Sequence, residues 1–183
     1  DNLCESVVNK SLQIFPTPTV SIAHTALCNN QDIRFTPIVN SIDPVAQYTW
    51  SVNNVPSGQE EEFVRRFTTP GSRSIAVQVN TLNGCQGRVE RPFDIAQSPI
   101  AAFEPLPSQG ARPLRVQFDN TSQFADTYRW FFRESAAQGS TAVNPEFIYT
   151  DEATERAMLI AENAAGCADT AYAFIEIMKP LLD

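Results

Sequence analysis

The sequence predicts an all-β protein, and two features of its pattern lead to that prediction. Apolar residues alternate with polar ones in short runs, as Leu114, Val116 and Phe118 do with the residues between them, which is typical of half-buried strands. Clusters of Pro, Gly, Asn and Ser, such as residues 56–58, separate these runs. Many short strands with turns at this spacing indicate a sandwich or a barrel.

A long-period repeat divides the chain into domains. A stretch that runs from a cysteine to an isoleucine occurs three times, at residues 4–14, 85–95 and 167–177. A fixed period of this length predicts repeated domains, each of about 80 residues. The prediction assigns the chain as follows: residues 1–17 as the last strand of a preceding repeat plus a linker, residues 18–98 as the first sandwich and residues 99–181 as the second.

The two full repeats align element by element along the chain. The matched segments are, in order, residues 18–22 with 99–103, 32–35 with 115–118, Tyr48-Thr49-Trp50 with Tyr128-Arg129-Trp130, Phe67 with Tyr149, Val77 and Val79 with Leu159 and Ala161, and Asn83-Gly84-Cys85 with Ala165-Gly166-Cys167. Ile14, Ile95 and Ile177 occupy one inward-facing position of the last strand in three successive repeats. Because Trp50 and Trp130 are equivalent, we expect both in the core rather than on a binding surface.

This order of motifs resembles the PKD domain, an immunoglobulin-like β-sandwich common in large bacterial surface proteins. The resemblance rests on an opening P-x-x-x-[IF] strand, an aliphatic-x-Phe strand, Y-x-W, and alternation leading into N-x-x-G-C. It covers nearly the whole chain. It implies two tandem immunoglobulin-like sandwiches, with extracellular or bacterial cell-surface location.

Four cysteines allow three connectivities with two bonds, or four free thiols. The resemblance implies one disulfide, Cys28–Cys85, within the first repeat, and therefore an oxidising compartment. Cys4 is expected to pair upstream of this chain, and Cys167 has no partner in its own repeat because the position equivalent to Cys28 falls near Ala111.

Composition argues against several classes of function. The net charge is −8 and the sequence pI about 4.6, and the scattered basic residues form no stripe for nucleic acid. No apolar run approaches the ~20 residues that span a bilayer, so no membrane insertion is predicted.

Neither catalysis nor a bound cofactor is predicted. The chain has one histidine, His24, and no G-x-S-x-G or paired-cysteine motif, which leaves no triad and no zinc site. Calcium is the one ion left open, because Asp43, Asp119, Asn120 and Asp126 could supply oxygen ligands. The alternative is that these side chains make turns. Residues 60–62, three glutamates, are expected on an edge strand, where charge prevents unwanted pairing.

The resulting functional expectation is a non-catalytic structural spacer and protein-interaction module of a repetitive bacterial surface or adhesin-like protein. Its expected partners are neighbouring repeats or other surface proteins, with glycans as a further class. One alternative is a carbohydrate- or protein-binding accessory module of a secreted enzyme, which would use Phe132, Tyr172 and Phe174 as an exposed contact surface. The other is a self-assembling filament subunit that adds a strand to its neighbour.

Overall fold

The computed structural model describes residues 13–134 and 139–180, in which strands are the only regular long elements. Cys4 and most of the predicted leading strand lie outside these residues. Within them, no helix is long and apolar enough to cross a membrane. The strands of the first repeat are β1 (Thr19–His24), β2 (Asp32–Asn40), β3 (Val45–Val52), β4 (Val55–Gly58), β5 (Phe63–Arg66), β6 (Gly71–Thr81) and β7 (Gln86–Ile95). Those of the second are β8 (Phe103–Leu106), β9 (Gln109–Ala111), β10 (Leu114–Asn120), β11 (Thr127–Phe131), β12 (Gly139–Ser140), β13 (Glu146–Tyr149), β14 (Ala153–Glu162) and β15 (Ala168–Met178).

Each repeat contributes two sheets. In the first, the strand orders are β1-β2-β5 and β4-β3-β6-β7. In the second they are β13-β10-β8 and β12-β11-β14-β15-β9, where β9 pairs in parallel with β15. A three-stranded sheet together with a sheet of four or five strands, as each repeat has, is typical of immunoglobulin-like sandwiches.

Contacts within the chain group it into two compact units. One holds residues 34–63 and 73–92 with the segment that ends at residue 23. The other holds residues 24–33, 64–72 and the segment from residue 93 onward. The domain boundaries derived from the repeat, 18–98 and 99–181, remain predictions.

Trp130 lies at the centre of the core in the second compact unit. It is fully buried, with its ring 5.1 Å from that of Phe103 and 5.7 Å from that of Phe118. Its indole N–H donates to the carbonyl of Ala142 at 2.8 Å, so the one polar atom of the side chain is satisfied. The other buried members of this core are Leu114, Val116, Phe132, Tyr149, Ala157, Leu159, Ile175 and Ile177.

Trp50 has the same role in the first compact unit. Its ring stacks on Phe63 at 5.4 Å, and Phe63 in turn stacks on Phe35 at 6.1 Å. The indole N–H donates to the carbonyl of Glu60 at 2.9 Å. The prediction that both tryptophans are core residues is therefore confirmed.

The three glutamates at residues 60–62 lie in the turn between β4 and β5, so their predicted place on an edge strand is wrong. Local bonding explains the turn: the Glu60 carbonyl accepts the Trp50 indole, and the Glu62 carboxylate accepts from Arg34 and Thr36.

The turn before the last strand has the same geometry in both repeats, at residues 81–85 and 163–167. In each, the N–H of the first residue donates to the carbonyl of the fifth, at 2.9 and 3.0 Å. The fourth residue donates back to the carbonyl of the first, at 3.0 and 2.9 Å. That fourth residue is a glycine, Gly84 or Gly166, with φ of 85° and 77°, a conformation that favours glycine. The alignment of the two repeats at this turn is therefore structural.

Candidate functional site

Within residues 13–134 and 139–180, a disulfide joins Cys28 to Cys167, 139 residues apart in sequence, with 5.7 Å between the Cα atoms. Both cysteines belong to the second compact unit and are buried, at 0% and 1% exposure. Cys28 is held by a parallel bridge to Ala96, just after β7. Cys167 ends the 163–167 turn and precedes β15.

The predicted Cys28–Cys85 bond is wrong, because Cys85 has a free thiol. Cys85 belongs to the first compact unit, where its Sγ donates to the carbonyl of Phe15 at 3.6 Å. Cys85 and Cys167 stand at equivalent positions, so spacing could not decide which of them reaches Cys28. The partner that Cys28 takes is the equivalent cysteine one repeat later.

Hydrogen bonds join the segment before the second repeat to residues that are close in sequence to the two bonded cysteines. The backbone N–H of Ser98 donates to Asn29 Oδ1, and its hydroxyl donates to the Asn29 carbonyl, both at 2.6 Å. Asn163 Nδ2 donates to the carbonyl of Gln97 at 2.7 Å. Gln31 donates to the carbonyl of Ala168 at 3.2 Å. No sequence motif marks this network, because each residue type is common in loops.

A polar cleft of about 230 Å³ lies beside this network, lined by residues 29–31, 97–100 and 168–169. Its main polar groups bond to one another or to backbone: Asn29 to Ser98, and the Asp169 carboxylate to the N–H of Ala101 at 2.8 Å. These bonds make the cleft a structural feature, since a ligand would have to compete for donors and acceptors already in use.

Tyr172 and Phe174 are exposed, at 55% and 66%, on one face of β15. Phe174 pairs with Arg156 and Tyr172 with Met158 on β14, and Met158 pairs in turn with Phe131 on β11. We call Phe131, Met158, Tyr172 and Phe174 the outer aromatic face. The Arg156 guanidinium lies 5.0 Å from the centroid of the Tyr172 ring, a distance suited to a cation–π contact.

Phe132 does not belong to this face, and its predicted exposure is wrong. Its side chain is 4% exposed and its ring stacks on Phe147 at 4.6 Å. Its backbone carbonyl accepts a hydrogen bond from the hydroxyl of Tyr149 at 2.8 Å. Burial of Tyr149, together with the charge of Glu155, raises the pKa of this hydroxyl well above its usual range. Phe132 stands two residues after the buried Trp130, so its burial continues the alternation of β11, in which Phe131 faces outward.

Of the four residues left open for calcium, Asp43, Asn120 and Asp126 accept hydrogen bonds from turn or loop residues, and Asp119 lies in β10. Asp43 is fully buried, and its carboxylate accepts from the backbone N–H of Asn83 at 3.0 Å and from its side chain at 2.7 Å. Asn120 Oδ1 accepts from Ser122, and Asp126 accepts from the N–H of Ala164. Asp119 lies opposite Glu104 in the sheet. Among the described residues, no three His, Cys, Asp or Glu side chains come close enough to hold a metal ion.

His24 lies at the end of β1, where its Nδ1–H donates to the carbonyl of Thr25 at 2.7 Å. Its ring packs edge-on against Phe93 at 5.1 Å. Both contacts are local packing interactions of a strand end.

No protein-family model matches the sequence, and a comparison with curated proteins gives no match. Solved structures do match. The fibronectin(III)-like modules of Clostridium thermocellum CbhA align over 87% of this chain and 93% of their own, with a TM-score of 0.52 and 12% identity.

Two single PKD1 domains align over shorter stretches. The domain of the Vibrio cholerae metalloprotease PrtV covers 44% of this chain and 98% of its own, with 14% identity and a TM-score of 0.40. The domain of Vibrio anguillarum Epp covers 46% and 98%, with 24% identity and a TM-score of 0.39. With its sheet topology, the match to the fibronectin(III)-like modules shows that this chain has an all-β, immunoglobulin-like sandwich fold, as its sequence predicts.

Proposed function

We propose that this chain is a non-catalytic structural module of an extracellular or bacterial cell-surface protein, in which disulfide-linked sandwiches space or display other parts of the molecule. The observation that carries the proposal is the buried Cys28–Cys167 bond. Disulfides of this kind persist in oxidising compartments and are rare in the cytosol.

The segment at residues 96–99, between β7 and the second repeat, supports a structural role. Ala96 donates to the carbonyl of Leu27 at 2.7 Å and accepts from the N–H of Asn29 at 2.9 Å. Ser98 then makes its two bonds to Asn29, and Pro99 follows. A connection that is hydrogen-bonded along its length and carries a proline is stiffer than a flexible linker. A stiff connection of this kind suits a module that holds other parts of a protein at a fixed distance.

A single-molecule pulling experiment tests the covalent link on which the proposal rests. Because the bond encloses residues 28–167, full unfolding of the oxidised chain leaves this segment closed. Reduction should add roughly 460–500 Å of contour length, since an extended chain spans at most about 3.3–3.6 Å per residue. The double variant Cys28→Ser/Cys167→Ser should show the long contour without reductant. Equal contour lengths before and after reduction of the parent chain would contradict the proposal.

Recognition at the outer aromatic face is the second candidate function. Exposed apolar patches with polar neighbours mark interaction sites, and the flat rings of Tyr172 and Phe174 can pack against the apolar face of a sugar or of another protein. A glycan array with the parent chain, Tyr172→Ala/Phe174→Ala and the control Ile148→Ala tests it. Ile148 is also exposed but lies on β13, in the other sheet. Binding that is lost only in the double variant supports this candidate, and binding that all three retain contradicts it.

A further inference from the structure

We infer that Cys85 is the attachment point for a further sandwich of the same kind, through a disulfide to a cysteine that stands where Cys28 stands in the first repeat. The inference rests on the proposed function, because it needs an oxidising compartment.

The first argument is the equivalence of Cys85 and Cys167. Both close turns with the same two backbone hydrogen bonds and the same positive-φ glycine, at residues 81–85 and 163–167. Both directly precede the strand that comes last in chain order in their repeat, β7 or β15. In the second turn the cysteine is bonded to Cys28, whereas in the first it is free and half-buried. The same position of the repeat is therefore seen once with its disulfide partner, at Cys167, and once without a partner, at Cys85.

The surroundings of the free thiol supply the second argument. Phe15 follows Ile14 as Ala96 follows Ile95, so Phe15 and Ala96 are equivalent positions. The carbonyl of Ala96 accepts the N–H of Asn29, which places Cys28 next to Cys167. The carbonyl of Phe15 is the group that the Cys85 thiol contacts at 3.6 Å. The carbonyl of Ala96, which positions Cys28 beside Cys167, thus has its counterpart in the carbonyl of Phe15 beside Cys85.

Ile14 gives an independent indication of a further sandwich. Ile95 and Ile177, its equivalents, are each 2% exposed in the cores of their sandwiches, whereas Ile14 is 81% exposed. An isoleucine at an inward-facing register position is normally buried. The occupant that would bury Ile14 is a sandwich in which it ends the last strand, and that sandwich would carry the cysteine for Cys85.

The partner of Cys85 must come from outside the two repeats of this chain. Cys28 is already bonded. Its equivalent in the second repeat is Ala111, since Ala111 pairs in parallel with Met178 as Cys28 does with Ala96. The N–H of Arg112 also donates to Met178 at 3.0 Å, as Asn29 does to Ala96 at 2.9 Å. Alanine at this position has no sulfur to offer.

The bond forms by oxidation of two thiols. The Cys85 thiol and the thiol of the incoming cysteine together lose two protons and two electrons. A small-molecule disulfide such as oxidised glutathione accepts the electrons and leaves as two thiols. The same exchange forms the Cys28–Cys167 bond, so no other co-reactant is required.

Peptide mapping of the protein from its native source, with thiols blocked at lysis, tests the inference. We expect Cys85 in a disulfide with a cysteine other than Cys4, Cys28 and Cys167. Alkylated Cys85 alongside an intact Cys28–Cys167 bond would overturn the inference and leave the proposed function standing. If Cys28 and Cys167 are also alkylated, the proposed function fails with it.

A tandem chain tests whether the position is sufficient. Residue 178 of one copy is joined to residue 16 of a second copy, which reproduces the connection between Ala96 and Gln97. With Ala111→Cys in the first copy, oxidation should link residue 111 to Cys85 of the second copy. The matched controls keep Ala111, or carry Cys85→Ser in the second copy, and should not form this bond. Free thiols at both residues, in a chain whose two Cys28–Cys167 bonds have formed, would overturn the inference.

Discussion

Cys28 and Cys167 are covalently joined although 139 residues separate them, and the cysteine nearer in sequence, Cys85, is left as a free thiol. The bond connects one position of the first repeat to a different position of the second. It therefore restrains residues on both sides of the 96–99 segment rather than closing a loop within one repeat. The stability of the chain should therefore depend on this disulfide.

Removal of the disulfide should destabilise the chain substantially. Cross-linking a loop of this length is worth up to about 5 kcal/mol through the entropy of the unfolded chain, and measured values are typically about 2–4 kcal/mol. We expect Cys28→Ser/Cys167→Ser to lose about 2–5 kcal/mol in urea denaturation under non-reducing conditions. Cys85→Ser is the matched control and should change the free energy of unfolding by less than about 1 kcal/mol. A double variant as stable as the parent would show that the bond contributes nothing.

The two tryptophans should behave alike when each is replaced by phenylalanine. Trp50→Phe and Trp130→Phe both remove ring volume and the indole donor, and leave the carbonyl of Glu60 or Ala142 without its partner. Because Glu60 and Ala142 are exposed residues, the loss comes from the hydrogen bond, worth about 0.5–1.5 kcal/mol net, and from the space that the smaller ring leaves in the core, roughly 1–3 kcal/mol in all. Chemical denaturation should show a loss of that size in each variant. Phe124→Leu, at a ring that is largely exposed, is the control. If one tryptophan tolerated the change, the two would not have equivalent roles.

Much of the fold could be predicted from local pattern. Alternation predicts the strands around Phe118 and Val77, and the equivalence of Trp50 and Trp130 identifies the core, because burial on one face of a sheet imposes a period of two. The exposure of Tyr172 and Phe174 also follows from this alternation, since Ile175 and Ile177 face the core.

The disulfide partner could not be predicted in this way. Cys85 and Cys167 have the same local sequence context, and only tertiary structure decides which of them meets Cys28. A repeat period cannot distinguish between equivalent positions. The burial of Phe132, by contrast, is what alternation predicts, because Phe132 stands two residues after the buried Trp130.

Asp43 should make stability depend on pH. Burial acts to raise the pKa of its carboxyl group, but hydrogen bonds from Thr81 and from the side chain and backbone of Asn83 outweigh it, so the pKa is lowered from 3.8. A lowered pKa means that the folded state favours the charged form. Its stabilisation is complete above the ordinary pKa and is lost as the pH falls from about 4 through the folded-state value.

Asp43→Asn tests this dependence, because asparagine directs an N–H₂ group at the donors of Asn83. The parent should be more stable than the variant at pH 7, and the difference should shrink at pH 3. Urea midpoints at pH 7, 5 and 3 measure it. Asp94→Asn, an exposed carboxylate on β7, should change little at any of the three. A difference that stays constant with pH would contradict the assignment.

Gly84 and Gly166 should each resist replacement by alanine and tolerate asparagine better. At Gly84 and Gly166 φ is 85° and 77°, and no atom lies within 4 Å of an added Cβ, so the cost is one of backbone conformation alone. We expect Gly84→Ala and Gly166→Ala to lose about 1 kcal/mol, and the asparagine variants to lose less, because asparagine adopts positive φ more readily. Thermal melts of the four variants test this, and an alanine variant as stable as its asparagine counterpart would count against it.

The outer aromatic face and the buried Phe132 should respond in opposite ways to truncation. Phe132→Ala removes a ring packed between Phe147 and Phe118 and should cost about 3–5 kcal/mol in stability. Tyr172→Ala and Phe174→Ala remove exposed rings and should stay within about 0.5 kcal/mol of the parent. Denaturation curves of the three variants measure the difference. A large loss at Tyr172 or Phe174 would mean that the face is part of the packing of the sandwich, whereas neutral stability with lost ligand or partner binding would assign it to recognition.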